Sequence, residues 1–127
     1  MRKVNATKQR RNALLVVLLG LLPVPAIALA QSSEEGVANF YSDRFQGKKT
    51  ASGAVYDKSK LTASHKKHSF GSKVKVTNVE NGKSVVVTIT DRMPKKNPIV
   101  IDVTRRAAEE LDFAKAGKAR VKLDVVH

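Results

Sequence analysis

Asp91 and Asp102 lie within one dense stretch, Ser84 to Leu111, which reads SVVVTITDRMPKKNPIVIDVTRRAAEEL. A carboxyl group can give up a proton and, once ionised, take one back, so two carboxyls near strand ends are equipped for acid–base work. Asp91 directly follows a run of alternating β-branched residues, and Asp102 stands near the end of a second strand-like run, Ile99 to Val103. The loop between them, RMPKKNP, carries two prolines and two lysines. Binding and catalytic groups collect on loops and strand ends at the rim of a rigid sheet. Two readings stay open on the residues alone. Either the pair acts chemically, or Asp91 caps a turn by bonding backbone N–H groups and Asp102 anchors the start of the following helix.

The elements that must position these groups are mostly strands. Val85, Val87 and Ile89 alternate with Val86, Thr88 and Thr90, a period of two that predicts a half-buried strand. Lys73 to Val79 alternates in the same way, and Asn81-Gly82 between the two runs predicts a hairpin, since both residues tolerate positive φ. Val37 to Tyr41 predicts a first strand, Leu61 to Ser64 a short apolar-polar segment, and Ala119 to Val126 a closing strand. Thr104 is placed to cap a helix starting at Arg105, with Ala107, Ala108 and Leu111 on its apolar side. About six short strands and one short helix predict a mainly β domain, a small barrel or a sandwich. A barrel would also remove the exposed edges of strands so rich in Val and Ile.

The first 30 positions obey a different rule. Arg2, Lys3, Lys8, Arg10 and Arg11 precede an apolar run from Ala13 to Leu22, and Ala28-Leu29-Ala30 offers small residues at a cleavage site. This is the three-part pattern of a secretory signal peptide at 1–30, cut after Ala30. Pro23 and Pro25 interrupt the apolar run too early for a membrane span. A polar, flexible linker is expected at 31–35 and one domain at 36–127. The chain has 24 Lys+Arg against 11 Asp+Glu and a net charge of +13. The portion beyond the signal stays basic, and suits an anionic partner such as nucleic acid, lipid surface or wall polymer. No interleaving of aromatic and basic residues supports nucleic acid. The chain has no cysteine. Neither a disulfide framework nor a lipid anchor after cleavage is expected, and the product is read as a periplasmic or secreted monomer.

Five segments in order carry a resemblance: GVANFY at Gly36, TASG at Thr50, YDKSKLTASH ending at His65, FGSKVKVTNVENGKSVVVTITDR from Phe70 to Arg92, and IVIDVTRRAAEEL from Ile99. Together they resemble the rare lipoprotein A (RlpA) family of double-psi β-barrel proteins, over nearly all of Gly36 to Val126. The resemblance implies a six-stranded double-psi β-barrel with one short helix, acting on the glycan strands of peptidoglycan. It implies a lytic transglycosylase that cuts between MurNAc and GlcNAc and leaves a 1,6-anhydro end. In that reaction the substrate's own C6 hydroxyl is the nucleophile, so a single carboxyl can serve as acid and then as base. By position in the resemblance, Asp91 is the acid/base, Asp102 its partner and His65 a helper bonded to the acid or the sugar. Tyr41, Phe40, Thr50, Ser52 and Arg92 are the expected substrate contacts, with Phe45 and Tyr56 as further groove candidates.

Each of these has a plainer alternative. His65 also fits a loop histidine bonded to backbone, and the aromatics fit a core. Lys66, Lys67, Lys95 and Lys96 could attract wall-peptide carboxylates or form a solvated surface. The three histidines lack the spacing of zinc ligands, so no metal or cofactor is expected. Two segments depart from the family pattern. The usual DRGPF-like run is Asp91-Arg92-Met93-Pro94-Lys95, and the usual SWYG-like run is Asn39-Phe40-Tyr41-Ser42. Met93 cannot take the positive φ open to glycine, so the loop after Asp91 is expected to run differently. By the resemblance, longer relatives carry a SPOR module, and none is expected within this sequence. The alternative to an enzyme is a non-catalytic, expansin-like wall-binding module.

Overall fold

The computed structural model describes residues 33–127, so the expected signal peptide lies outside the described residues. Six strands form a closed barrel: β1 (Glu34–Phe40), β2 (Thr62–His65), β3 (Lys73–Asn78), β4 (Ser84–Arg92), β5 (Ile101–Val103) and β6 (Ala119–Val126). Among the described residues one helix, α1 (Arg105–Glu110), precedes β6, and a single 3-10 turn spans Asp43–Phe45. Around the barrel the order is β1-β5-β2-β4-β3-β6, returning to β1. The β1–β5 and β2–β4 pairs are parallel, and the other four are antiparallel.

The period-two pattern explains the walls. Val74 and Val76 on β3, Val87 and Ile89 on β4, and Val121 and Leu123 on β6 point inward, while Lys73 and Lys75 alternate outward. Burying each such side chain contributes about 1.5–3 kcal/mol. Small residues let the parallel strands approach: Ala38 is fully enclosed beside Ile101 of β5, and Ala63 beside Ile89 of β4. Gly36 is constrained further. A Cβ there would lie 2.3 Å from Val100 Cγ1, so any other residue must push the β5 approach aside.

Thr104 starts α1 as the sequence suggests. Its Oγ1 accepts weakly from Ala107 N at 3.4 Å and also donates to the Lys60 carbonyl at 2.5 Å, so one buried hydroxyl both caps the helix and ties it to β2's approach. Ala107, Ala108 and Leu111 close one end of the barrel, and Phe113 meets Phe40 edge-on at 6.0 Å.

Two local expectations change. β1 begins at Glu34, inside the segment expected to be a linker, because Glu34 and Glu35 pair with Leu123 and Lys122 of β6. The β3–β4 connection is a longer loop in which only Gly82 takes positive φ, at 78°. Asn81 instead caps the loop, its Oδ1 accepting from Lys83 N and its Nδ2 donating to the Leu111 carbonyl.

Candidate active site

Four strands contribute one residue each to a continuous row on one face of the sheet. Asn39 of β1 is registered with Asp102 of β5, Asp102 with Ser64 of β2, and Ser64 with Asp91 of β4. Adjacent strands lie about 4.8 Å apart, so the two aspartates sit two strand spacings apart at the backbone with Ser64 between them. A bulge sets this row. The β2–β4 register shifts between Ala63 and Ser64, so that Ala63 pairs with Ile89 but Ser64 with Asp91, leaving Thr90 unpaired. An extra residue of this kind re-aims every side chain beyond it.

Asp91 is surrounded by donors. Its Oδ2 accepts from the Tyr41 hydroxyl at 2.5 Å, and its Oδ1 from the backbone N–H groups of Ala51 and Arg92, both at 2.9 Å. Three converging donors suit an ionised carboxylate, an acceptor-only group. Tyr41 reaches this position because it follows β1 with its N–H on the Val103 carbonyl, one residue out of phase with inward-facing Phe40. Its ring stacks on Tyr56 at 4.5 Å and meets Phe45 edge-on at 6.0 Å. Burial pushes the Tyr41 phenol well above its ordinary range, and Asp91 pushes the same way, while the Ser64 hydroxyl opposes them. Tyr41 therefore stays a donor.

Asp102 has the opposite surroundings. No protein donor reaches its carboxyl among the described residues. Burial raises its pKa first, and the nearby Asp91 charge raises it further. Desolvation and a like charge are the two effects that keep a carboxyl protonated. The row thus holds one carboxyl rich in donors and one without any.

A cleft of about 290 Å³ opens over the row, lined by both aspartates and Ser64. Tyr41, Phe45 and Tyr56 form an aromatic side, and Lys48, Lys49 and Arg92 supply cations.

The profile of a family described as lytic transglycolase matches residues 33–123. The chain belongs to that family, with the RlpA-like double-psi β-barrel. It is 41% identical over 102 residues to the endolytic peptidoglycan transglycosylase RlpA of Neisseria meningitidis serogroup B, covering 80% of this chain and 43% of the relative. To the protein of the same name from Rickettsia bellii it is 46% identical over 98 residues, covering 75% and 43%. The chain thus spans less than half the length of these curated relatives. Among solved structures, a Streptomyces papain inhibitor superposes with a TM-score of 0.62 at 20% identity, covering 76% of this chain and 96% of that one. An expansin of Clavibacter michiganensis in complex with cellohexaose gives 0.59 at 18% identity, covering 76% and 51%. At such identities the likeness is one of fold.

This RlpA-like barrel gathers Asp91, Asp102, Tyr41, Thr50 and Arg92 at the cleft. It does not bring His65 there. The imidazole is fully buried, its Nε2 2.9 Å from Glu34 Oε1 and its Nδ1 accepting from the N–H groups of Lys67 and His68. Phe40 also turns away, into contact with Phe113 and under the Arg105 guanidinium. Ser52 is outside the lining and acts on the loop, its N–H bonded to the Thr90 carbonyl and its hydroxyl 3.1 Å from that of Thr50. Arg92 spans the rim, donating to the His65 carbonyl at 3.0 Å with its guanidinium 4.6 Å from the Phe70 ring centre.

Met93 in this RlpA-like barrel avoids positive φ and is buried, its N–H pointing to the His65 carbonyl at 3.3 Å. The departure from glycine is absorbed without backbone strain. Ser64, Lys48, Lys49 and Asn97 line the cleft although the sequence singled out none of them. Alternation along LTASH could have flagged Ser64, but only the bulge decides which residue of that run meets Asp91.

Glu34, His65 and His68 are close enough to hold a metal, with donor atoms within 4.8 Å. The hydrogen bonds argue against that use. A neutral imidazole has one N–H, and because Nδ1 accepts from two backbone donors the proton must sit on Nε2. That nitrogen is the one a metal would need, whereas a ligating histidine normally donates its other N–H outward.

Proposed function

We propose that this domain is an exported peptidoglycan lytic transglycosylase that cleaves MurNAc–GlcNAc linkages and leaves 1,6-anhydro-MurNAc ends. The observation that carries the reading is the pair of unlike carboxyls, Asp91 and Asp102, facing one cleft across Ser64. Relatives more than 40% identical are named endolytic peptidoglycan transglycosylases, which supports the same reaction class.

One protonated carboxyl of the pair gives its proton to the glycosidic oxygen as the C1–O bond breaks. The C6 hydroxyl of the same sugar then attacks C1, and the carboxylate takes up the hydroxyl proton. No water enters and the carboxyl is restored, so one proton-cycling group suffices. The other carboxyl stays charged and stabilises the positive charge that develops on the ring. The family resemblance puts the cycling proton on Asp91. Tyr41 and Tyr56 offer an aromatic wall for the sugar, and Lys48 and Lys49 favour an anionic substrate. Export by the segment 1–30, with cleavage after Ala30, belongs to the same reading, and the mass of the protein recovered from a secreting host checks it.

The test is to incubate the domain, and separately its Asp91→Asn and Asp102→Asn variants, with purified sacculi and to examine released fragments by mass spectrometry. Anhydro ends from the unaltered protein, lost in the variants, are expected. Binding to sacculi without any release would replace the enzyme with a wall-binding module.

A further inference from the structure

Asn39 has a buried side-chain oxygen with no hydrogen-bond partner. An orphaned buried acceptor costs about 1–3 kcal/mol and calls for an explanation. Its neighbour in the row is Asp102, registered with it directly across the parallel β1–β5 pair. Asp102 in turn receives no donor among the described residues, whereas Asp91, at the other end of the row, receives three. Two acceptors at registered positions of paired strands, neither with a donor among the described residues, point to a proton held between them.

We propose that Asp102, rather than Asp91, is the carboxyl that carries the cycling proton, and that Asn39 is its positioning residue, with the side-chain oxygen accepting the Asp102 O–H. The assignment of this proton to catalysis rests on the transglycosylase reading above. Asp91, held by Tyr41 and two backbone amides, is then the fixed carboxylate. The Asn39 contact orients the Asp102 O–H while the cleft is empty and releases it to a glycosidic oxygen that enters. After transfer the Asp102 carboxylate takes the C6 hydroxyl proton and returns to its bond with Asn39, so the proton count closes.

The surroundings agree. Asp91 and Arg92 face the site from β4, Tyr41 from beyond β1, and Lys48 and Lys49 from the loop. On β2 the neighbour is the uncharged Ser64, and His65 turns to Glu34. Arg92 is committed to the His65 carbonyl and the Phe70 ring, and makes no ion pair with either aspartate. Burial and the Asp91 charge both raise the Asp102 pKa.

The experiment is a carboxyl carbon-13 NMR titration of the aspartates in the unliganded domain, which needs no turnover and stands whether or not sacculi are cut. Asp102 is expected to titrate highest of the aspartates and above the ordinary 3.9, because burial and the Asp91 charge both raise it. In Asn39→Ala the lost acceptor and better hydration both favour the ionised form, so the Asp102 midpoint is expected to fall by about half a unit or more. With an active enzyme, the alkaline limb of the pH–rate profile moves down by the same amount. A merely structural Asn39 would lower the rate without moving that limb. An Asp102 midpoint at or below 3.9 in the unaltered protein overturns the proposal, and would mean that the Asn39 amide presents its NH2 to an ionised Asp102. A higher midpoint on Asp91 than on Asp102 overturns it too, as does an Asp102 midpoint unmoved in a folded Asn39→Ala variant.

Discussion

The Tyr41 hydroxyl donates to Asp91 Oδ2 at 2.5 Å, joining positions 50 apart in the chain. The bond turns a flexible carboxylate into a fixed one, because the backbone amides of Ala51 and Arg92 hold the other oxygen. Tyr41→Phe keeps the ring stack on Tyr56 and removes only this donor. A hydrogen bond to a charged group is worth about 1.5–3 kcal/mol, so the transglycosylase reaction proposed above should slow by about 10- to 100-fold. Rates on soluble glycan chains at saturating substrate would show the loss in kcat rather than KM.

Asp102 links stability to pH. Its folded pKa is raised by burial and by Asp91, so the folded state holds the proton more tightly than the unfolded chain does. That contribution is complete below about pH 3.9, the unfolded value, and is lost as pH rises through the folded pKa. Asp102→Asn mimics the protonated form at every pH. Its melting temperature relative to the unaltered protein should therefore climb as pH rises from about 3.9 through the folded pKa of Asp102. A series of thermal melts reads this directly, and a gap that narrows with rising pH would refute the assignment.

Gly36→Ala should destabilise the barrel by about 1–3 kcal/mol, the usual cost of overpacking. The cause is local, since the new methyl would stand 2.3 Å from Val100 Cγ1. Combining it with Val100→Ala removes the clash, and urea unfolding of the pair should show less loss than the sum of the single variants.

His65 should be a single tautomer. With Nδ1 accepting from Lys67 and His68 and Nε2 directed to Glu34, nitrogen-15 NMR is expected to show an unprotonated Nδ1 and a proton on Nε2. Added Zn2+ should leave the melting temperature unchanged. A rise of several degrees would show that the metal displaces this proton and uses the Glu34–His65–His68 cluster after all.

Much of the fold was legible because period-two runs of Val and Ile mark half-buried strands, although the pattern alone left a barrel and a sandwich both open. Ala119 to Val126 and the start of α1 behind Thr104 fall where their patterns place them. The linker reading failed at Glu34 because pairing with β6 does not depend on a polar residue's own propensity. At the site, both aspartates and Tyr41 stood out by residue type and by family resemblance. Asn39 and Ser64 did not, since an amide and a hydroxyl in a strand carry no local mark of function.

By itself the sequence determined most of the strands, the helix cap and the presence of two carboxyls near strand ends, because these arise from side-chain alternation and backbone preference over a few residues. Tertiary structure alone decided which residues meet. The bulge opposite Ala63 and Ser64 brings Ser64 rather than His65 beside Asp91, and the parallel β1–β5 register sets Asn39 against Asp102. A shift of one residue in a strand exchanges its two faces, and nothing short of the closed barrel fixes that shift.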